Sequence, residues 1–155
     1  MNKSQLVLDE FFMLEALKLA DYALTINEVP IGAVLVLEGE VIGRGWNCPI
    51  SSRDPTSHAE IMALREGAKY LKNYRLPGTT LYVTLEPCLM CVGAMIHARI
   101  ARLVFGAKDP KTGAVCSVFN LLDSKNHNHT INYEGGLLGE KCGQLLVDFF
   151  KAKRK

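Results

Sequence analysis

The sequence predicts a three-layer α/β/α domain around a mixed five-stranded sheet, and three patterns carry this prediction. Residues 9–28 repeat apolar side chains at helical spacing, as expected of an amphipathic helix that packs on a sheet. Residues 31–37 form a nearly continuous apolar run, which is typical of a strand covered on both faces. A strand at 79–85, a helix at 87–99 and a strand at 101–105 indicate a right-handed parallel crossover.

The other elements complete this sheet in chain order. A tight connection at 38–40 should pair strands 31–37 and 41–46 as an antiparallel hairpin. A polar loop at 48–57 then leads into a helix at 58–71. The remaining predicted elements are a turn at 75–78, a short helix near 118–122, a strand at 131–133 and a last helix at 137–152.

The composition is that of a soluble globular chain, which we expect to form one domain over residues 1–155. Hydrophobic residues make up 48% of it and charged residues 22%. The first apolar patch is too short for a signal peptide or a membrane span, so we expect a cytoplasmic protein with no membrane partner. Five cysteines are an odd number for a reducing compartment, and Cys48, Cys116 and Cys142 are expected to be free thiols.

Charge is concentrated at the end of the chain. The formal net charge is only +2, but residues 151–155 (K-A-K-R-K) hold four of the eighteen basic residues. A basic tail on a near-neutral body suits a small contact with a nucleic-acid backbone. A frayed, solvated terminus would have the same composition, so charge alone does not separate the two interpretations.

Two short segments supply the ligands of a catalytic zinc site. Residues 57–60 (S-H-A-E) offer the imidazole of His58, and residues 87–91 (P-C-L-M-C) offer the thiols of Cys88 and Cys91. Zinc binds nitrogen and sulfur in a tetrahedron, and three protein ligands leave the fourth position open to water. The spacing therefore predicts a catalytic zinc ion held by His58, Cys88 and Cys91.

Local helix geometry brings these ligands to two helix N-termini. Pro87 can open a helix and place Cys88 and Cys91 on one face of its first turn. Ser57 resembles an N-cap, which would put His58 and Glu60 at the first and third helical positions. Glu60 is not needed as a ligand and is free for proton transfer.

Other interpretations of the same residues exist. Ser57 and Glu60 also match a capping box, in which Glu60 would be only a structural cap. The C-x-x-C pair could be a redox pair or half of a structural zinc site. A structural site needs a fourth ligand, for which the chain offers three further histidines, His97, His127 and His129.

Beyond these residues the sequence resembles a known family. H-A-E followed by P-C-L-M-C is the established signature of the zinc-dependent nucleobase deaminases. The wider match, over about residues 10 to 154, is to the bacterial tRNA-specific adenosine deaminases within the cytidine and deoxycytidylate deaminase superfamily. It is carried by the segments at 28–36 (E-V-P-I-G-A-V-L-V), 45–47 (G-W-N), 54–65 (D-P-T-S-H-A-E-I-M-A-L-R), 84–88 (T-L-E-P-C), 93–97 (G-A-M-I-H), 104–113 (V-F-G-A-K-D-P-K-T-G) and 148–150 (D-F-F).

The resemblance implies a fold, a reaction and partners. The fold is the cytidine deaminase fold, and the reaction is hydrolytic deamination of the wobble adenosine of a tRNA anticodon loop to inosine. One zinc ion per subunit would activate water for attack on carbon 6, with Glu60 as the proton shuttle and no organic cofactor. Members are homodimers whose active sites are completed across the interface. Cys48 departs from the family, which often has a polar or basic residue there.

Substrate contacts are predicted on both sides of the zinc site. The resemblance implies that Asn47 contacts the base and sugar and that Asp109 lies beside the ribose, although both could be turn residues next to prolines. Phe149 and Phe150 are adjacent on a helix, so one belongs to the core and the other can stack on RNA. The candidate contacts in this tail are Phe149, Lys151 and Arg154.

Overall fold

The structure is a computed structural model that describes residues 2–154. In chain order its elements are α1 (Lys3–Thr25), β1 (Gly32–Leu37), β2 (Glu40–Trp46), α2 (Pro49–Ser52), α3 (Ala59–Leu71), β3 (Thr80–Leu85), α4 (Leu89–Ala98), β4 (Arg102–Ala107), a 3-10 turn (Leu121–Asp123), β5 (Asn132–Gly135) and α5 (Gly139–Lys153). None of the helices within residues 2–154 is both long and apolar enough to span a bilayer.

The five strands form one mixed sheet in the order β2-β1-β3-β4-β5. β1 pairs antiparallel with β2 on one side and with β3 on the other. β3, β4 and β5 run parallel to one another. The predicted hairpin, the parallel crossover through α4 and the mixed five-stranded sheet are therefore confirmed.

Helices cover both faces of this sheet. Side chains that alternate along β1 enter two different cores, because successive residues of a strand point to opposite faces. Ala33 and Leu35 pack with α3 and α4, whereas Val34 and Val36 pack with α1. α5 lies on the α1 face, against β4 and β3. The predicted α/β/α layering is confirmed, and it explains the continuous apolar run in β1.

Close packing of α3 on β2 fixes the position of the helix N-terminus. A Cβ on Gly45 would overlap the backbone oxygen of Ala59, the first residue of α3. Only glycine permits this approach, so the G-R-G-W run of β2 brings the start of α3 onto the sheet. The residue immediately before Ala59 is His58, one of the predicted ligands.

Several predicted boundaries are wrong for local reasons. α1 starts at Lys3 instead of residue 9, because the side chain of Asn2 caps it by accepting from the Gln5 N–H at 2.8 Å. The short helix α2 lies in the predicted loop. The helix predicted near 118–122 is instead a 3-10 turn at Leu121–Asp123. The backbone N–H groups of residues 115–117, just upstream, donate to a carboxylate and not to helical carbonyls.

A buried carboxylate ties α1 to the sheet. Asp9 is fully buried, and Arg102 donates to its two oxygens at 2.8 and 2.6 Å. Tyr82 and Gln5 donate to the same carboxylate at 2.6 and 2.9 Å. Burial acts to raise the pKa of Asp9, but these hydrogen bonds outweigh it and hold the pKa below the usual value of 3.8.

We expect Asp9→Asn to lower the free energy of unfolding by about 3–5 kcal/mol, because it leaves the mostly buried Arg102 with only the exposed carboxylate of Glu134 as an ionic partner. Since the pKa of Asp9 is lowered in the fold, its stabilisation is fully present above 3.8 and is lost as pH falls through the lower folded-state pKa. Urea unfolding at pH 7 and at acid pH measures both effects. Asp21→Asn, on the exposed face of α1, is the matched control. A loss below about 1 kcal/mol at pH 7 would contradict the expectation.

Candidate metal centre and active site

Two helix N-termini meet beyond the carboxyl end of β3, the central strand of the sheet. His58 is the N-cap of α3 and Cys88 is the N-cap of α4, both with extended backbone. The predicted N-cap Ser57 is therefore wrong by one residue, and Glu60 is the second residue of its helix. The capping-box interpretation fails with it. Neither N-cap side chain makes a capping hydrogen bond to the backbone of its own helix, so the His58 imidazole and the Cys88 thiol remain available as ligands.

The three predicted ligands lie together. Nδ1 of His58 is 3.6 Å from Sγ of Cys88 and 3.5 Å from Sγ of Cys91, and the three atoms lie within 4.8 Å of one another. Zinc bonds of about 2.3 Å to sulfur and about 2.0–2.1 Å to nitrogen place tetrahedral N and S ligands about 3.6 Å apart. The donor set and its spacing therefore fit a zinc ion.

The other histidines do not supply a fourth ligand. His127 Nε2 lies 2.9 Å from the Leu121 oxygen, and His129 Nε2 lies 2.7 Å from the Ile100 oxygen. His97 is exposed on α4. Within residues 2–154, the metal-binding cluster consists of His58, Cys88 and Cys91 alone. Three protein ligands are the number found in catalytic zinc sites.

The two thiols differ in acidity. A hydrogen bond from Cys91 is the main cause that lowers the pKa of Cys88 to about 4, against the effect of burial, and His58 lowers it further. The same bond to Cys88, together with burial, raises the pKa of Cys91. The Cys88 hydrogen bond likewise raises the pKa of His58, although burial acts against it. The hydrogen bond between the two thiols thus favours one thiolate, and metal binding must release the proton of the other thiol.

Glu60 lies beside the ligands as a buried acid. Its side chain is 4% exposed, and burial raises its pKa to about 7, while a backbone hydrogen bond and His58 act in the opposite direction. A carboxyl group with a pKa near neutrality can both accept and return a proton. Glu60 is therefore suited to proton transfer next to the metal.

A cavity of about 830 Å³ opens above this centre. Its floor includes His58, Glu60 and Cys88, and the loop after β4 and the outer face of α5 form its walls. This volume lies within the range of small-molecule sites in proteins. A smaller hollow of about 470 Å³ lies between the end of α1 and α5, and no metal ligand lines it.

Two of the predicted substrate contacts, Asn47 and Asp109, line this cavity. Asn47 is 6% exposed, and its backbone N–H donates to the Ile31 oxygen at 3.0 Å. The Asp109 carboxylate accepts from the Lys111 N–H at 3.0 Å and from the Thr112 hydroxyl at 2.7 Å. Asp109 is therefore a turn residue and a cavity residue at once.

The predicted contacts in the C-terminal helix are only partly brought to the cavity. Phe149 is the wrong choice for stacking, because it is 9% exposed and faces the smaller hollow. Its neighbour Phe150 is 46% exposed and lines the large cavity. Arg154 also lines the cavity, whereas Lys151 is exposed outside its lining. Lys155, the last residue of the predicted basic tail, lies outside the described residues.

Two buried glutamates beside the site were not predicted. Glu28 is 1% exposed and accepts from the Ser51 N–H of α2 at 2.6 Å. Glu86 is 2% exposed, and four backbone N–H groups donate to it. Burial acts to raise the pKa of Glu86, but these donors outweigh it and lower the pKa. For Glu86 the sequence signal was a charged residue at the end of an apolar strand, directly before a metal-binding turn.

Comparison with known proteins agrees with this geometry. Residues 6–107 match the family model described as "Cytidine and deoxycytidylate deaminase zinc-binding region". The chain is 55% identical over 148 residues to the tRNA-specific adenosine deaminase of Haemophilus influenzae, a match covering 95% of this chain and 86% of that protein. It is 46% identical over 147 residues to the tRNA-specific adenosine deaminase of Bacillus subtilis, covering 95% of this chain and 91% of that protein.

A solved structure gives the same answer for the fold. A chain from work on A-to-I editing by tRNA:A34 deaminases at the wobble position of transfer RNA superposes with a TM-score of 0.85. The sequence identity is 46%, and the match covers 88% of this chain and 99% of that one. The fold, the three-ligand cluster and these relatives together confirm the resemblance found in the sequence. This chain belongs to the zinc-binding cytidine and deoxycytidylate deaminase family.

Proposed function

We propose that this protein is a zinc-dependent hydrolase that converts the wobble adenosine of a tRNA anticodon loop to inosine. The observation that carries the proposal is the open three-ligand cluster with Glu60 beside it, on the floor of a cavity large enough for a nucleotide. The names of the relatives at 46–55% identity support tRNA adenosine as the substrate class.

The metal ligands and Glu60 have separate roles: the ligands hold the ion that activates water, and Glu60 transfers protons. His58, Cys88 and Cys91 hold zinc, which when bound lowers the pKa of water towards 7 and so supplies a nucleophilic oxygen at neutral pH. The ligands also fix the distance between this centre and the Glu60 carboxylate, because His58 and Glu60 sit two residues apart at the start of one helix. The helix N-termini favour the negative charge of the thiolates.

Glu60 moves the protons of the reaction. Its carboxylate takes a proton from the attacking water and delivers it to N1 of the purine ring, which makes carbon 6 more electrophilic. The bond from oxygen to carbon 6 forms first. Glu60 then takes the remaining hydroxyl proton and passes it to the amino nitrogen, the bond from carbon 6 to that nitrogen breaks, and ammonia departs as the carbonyl forms. The overall change consumes one water and leaves a carbonyl in place of the amine.

Substrate recognition uses the walls of the cavity. An adenosine in an RNA loop must leave its stack to reach the floor, and a loop makes this cheaper than a duplex does. Asn47 supplies a carboxamide at the depth of the base. Phe150, with Lys153 and Arg154 nearby on the cavity wall, can stack on a neighbouring base and neutralise phosphates.

Asp109 is assigned to the ribose, so Asp109→Asn should lower the ratio of RNA to DNA turnover by about ten-fold or more. A charged acceptor for the 2′-hydroxyl is lost, and hydrogen bonds to charged groups contribute about 1.5–3 kcal/mol. Asparagine retains an acceptor for the turn formed with Lys111 and Thr112, so the loop itself should persist. The ratio is measured on matched RNA and DNA stem-loops.

Asp123→Asn is the control for this substitution. The Asp123 carboxylate accepts a hydrogen bond from the Tyr133 hydroxyl, and Asp123 does not line the cavity. An unchanged ratio for Asp109→Asn would show that the carboxylate serves only the turn.

Inosine formation on an anticodon stem-loop with adenosine at the wobble position tests the proposal. Zinc-loaded protein is assayed on this stem-loop and, in separate reactions, on free adenosine, cytidine and guanine. Conversion of the stem-loop alone is the expected result. Conversion of only a free base or nucleoside would keep the chemistry and discard the RNA substrate. Absence of any conversion with zinc bound would favour a structural zinc module that binds RNA.

Three broader expectations belong to the same proposal. Residues 1–155 act as one deaminase domain, the protein works in the cytoplasm, and it forms a homodimer. Of the small residues on α4, the half-buried Gly93 and Ala94 would allow close approach of a second helix, whereas Ala98 packs in the core of its own chain. Sedimentation analysis of the purified protein decides between monomer and dimer.

A further inference from the structure

A buried carboxylate lies directly between the sheet and the metal-binding turn. Glu86 follows the last residue of β3 and precedes Cys88 by two residues. Its backbone N–H donates to the Ala107 oxygen at the end of β4 at 2.8 Å, which fixes its main chain to the neighbouring strand. Its side chain is 2% exposed and points towards the loop that follows β4.

That side chain accepts five hydrogen bonds from this loop. The Asp109 N–H donates to Oε1 at 3.1 Å, and the Ser117 hydroxyl donates to the same oxygen. The N–H groups of Val115, Cys116 and Ser117 donate to Oε2 at 3.1, 2.9 and 3.0 Å. An ionised carboxylate offers about four lone-pair positions, so these donors use its full capacity. No acceptor capacity remains for substrate.

The loop held in this way forms one wall of the active-site cavity. Its first part, residues 107–112, lines the cavity and includes Asp109. Its second part returns to the metal-binding turn, where the Ala114 N–H donates to the Pro87 oxygen at 2.8 Å. Gly113 lies between the two parts, and a Cβ there would overlap the Glu86 carboxyl group. A side chain at position 113 would have to displace this carboxyl group from its hydrogen bonds.

We infer that Glu86 is a positioning residue that joins the metal-binding turn to the substrate loop. Its carboxylate gathers donors from both ends of residues 109–117 and holds that loop against the turn that carries Cys88. The wall that bears Asp109 thereby keeps a fixed distance from the floor of the cavity. This inference rests on the proposed function for its substrate, an RNA nucleotide, but the anchor itself is a property of the free protein.

Glu86→Gln tests the anchor with a nearly isosteric change. One carboxylate oxygen becomes an NH₂ group. This group cannot accept a hydrogen bond from the loop, and it places its own N–H donors against the N–H donors of the loop. We expect the amides of residues 109 and 115–117 to exchange with solvent at least about ten-fold faster, measured by hydrogen exchange without substrate. The KM for the stem-loop should rise about ten-fold, with kcat within about three-fold and zinc at one per subunit, because binding is lost but proton transfer is not.

Two further variants separate positioning from general destabilisation. Asp9→Asn makes the same carboxylate-to-amide change at a buried site on the α1 face and should alter neither the loop exchange nor KM. Ser117→Ala removes one donor of the five, and it should move both readouts in the same direction by less, even if Glu86→Gln folds poorly.

Wild-type exchange of the loop amides in both Glu86→Gln and Ser117→Ala would overturn the inference. Loss of zinc together with equal losses in kcat and kcat/KM would overturn it too, since Glu86 would then support the metal site itself. Hydrogen exchange is independent of the substrate. If the stem-loop proves not to be a substrate, faster exchange in Glu86→Gln still supports the anchor, and unchanged exchange still rejects it.

Discussion

Replacing Glu60 with glutamine should lower turnover by about 10²- to 10⁴-fold while the protein keeps its fold and its zinc. Glutamine has nearly the same shape but cannot take a proton from water at neutral pH. Glu60 is 4% exposed and lies on the cavity floor with His58 and Cys88. Single-turnover inosine formation on the stem-loop measures the loss.

Glu66→Gln is the matched control, because it makes the same change on the same helix at an exposed position. Its turnover should stay within about two-fold of the wild type, and both variants should bind one zinc ion per subunit. A Glu60→Gln protein that turns over near the wild-type rate would remove Glu60 from the mechanism. Loss of zinc in Glu60→Gln would instead make Glu60 a support of the metal site.

The second large effect is expected from Cys88→Ala. This variant should lose most of its bound zinc, and its turnover should fall by at least about 10⁴-fold relative to the wild type. Cys88 is the more acidic of the two thiols, with a pKa lowered to about 4 mainly by the hydrogen bond from Cys91. Two remaining ligands hold zinc poorly, and enzymes accelerate their reactions by about 10⁶-fold or more, so little catalysis should survive. Zinc per subunit is measured by atomic emission beside the activity.

Cys116→Ala controls for the loss of a thiol as such, since Cys116 is an exposed cysteine outside the metal cluster. It should retain its zinc and its activity. A Cys88→Ala protein that still held one zinc ion per subunit would contradict the assignment of Cys88 as a ligand.

The ligands could be predicted from sequence because their chemistry is carried by residue type. Few sites other than zinc sites combine one imidazole with a C-x-x-C pair, and the helix start signals Ser57 and Pro87 placed both segments at helix N-termini. The N-cap of α3 was missed by one residue. Ser57 is the better cap by propensity. The backbone oxygen of Ser57, however, accepts from the Cys48 N–H, and the first helical hydrogen bond of α3 is accepted by the backbone oxygen of His58.

The walls of the cavity could not be predicted in the same way. Glu86 acts through donors 23 to 31 residues away, and no local pattern encodes such a contact. The same contact fixes the backbone at residues 115–117, and the short helix predicted near 118–122 begins three residues later, as the 3-10 helix at Leu121–Asp123. Phe149 and Phe150 have equal propensity for burial, and only the direction of α5 on the sheet decides that Phe150 faces the cavity.

Zinc coordination in the purified protein tests most directly whether this is a catalytic centre. X-ray absorption at the zinc K-edge should find two sulfur ligands at about 2.3 Å, one imidazole nitrogen at about 2.0–2.1 Å and one exchangeable oxygen. The oxygen should be replaced when an inhibitor or product occupies the cavity. A third sulfur, or a second imidazole, would close the site with a fourth protein ligand and contradict hydrolytic catalysis at this centre.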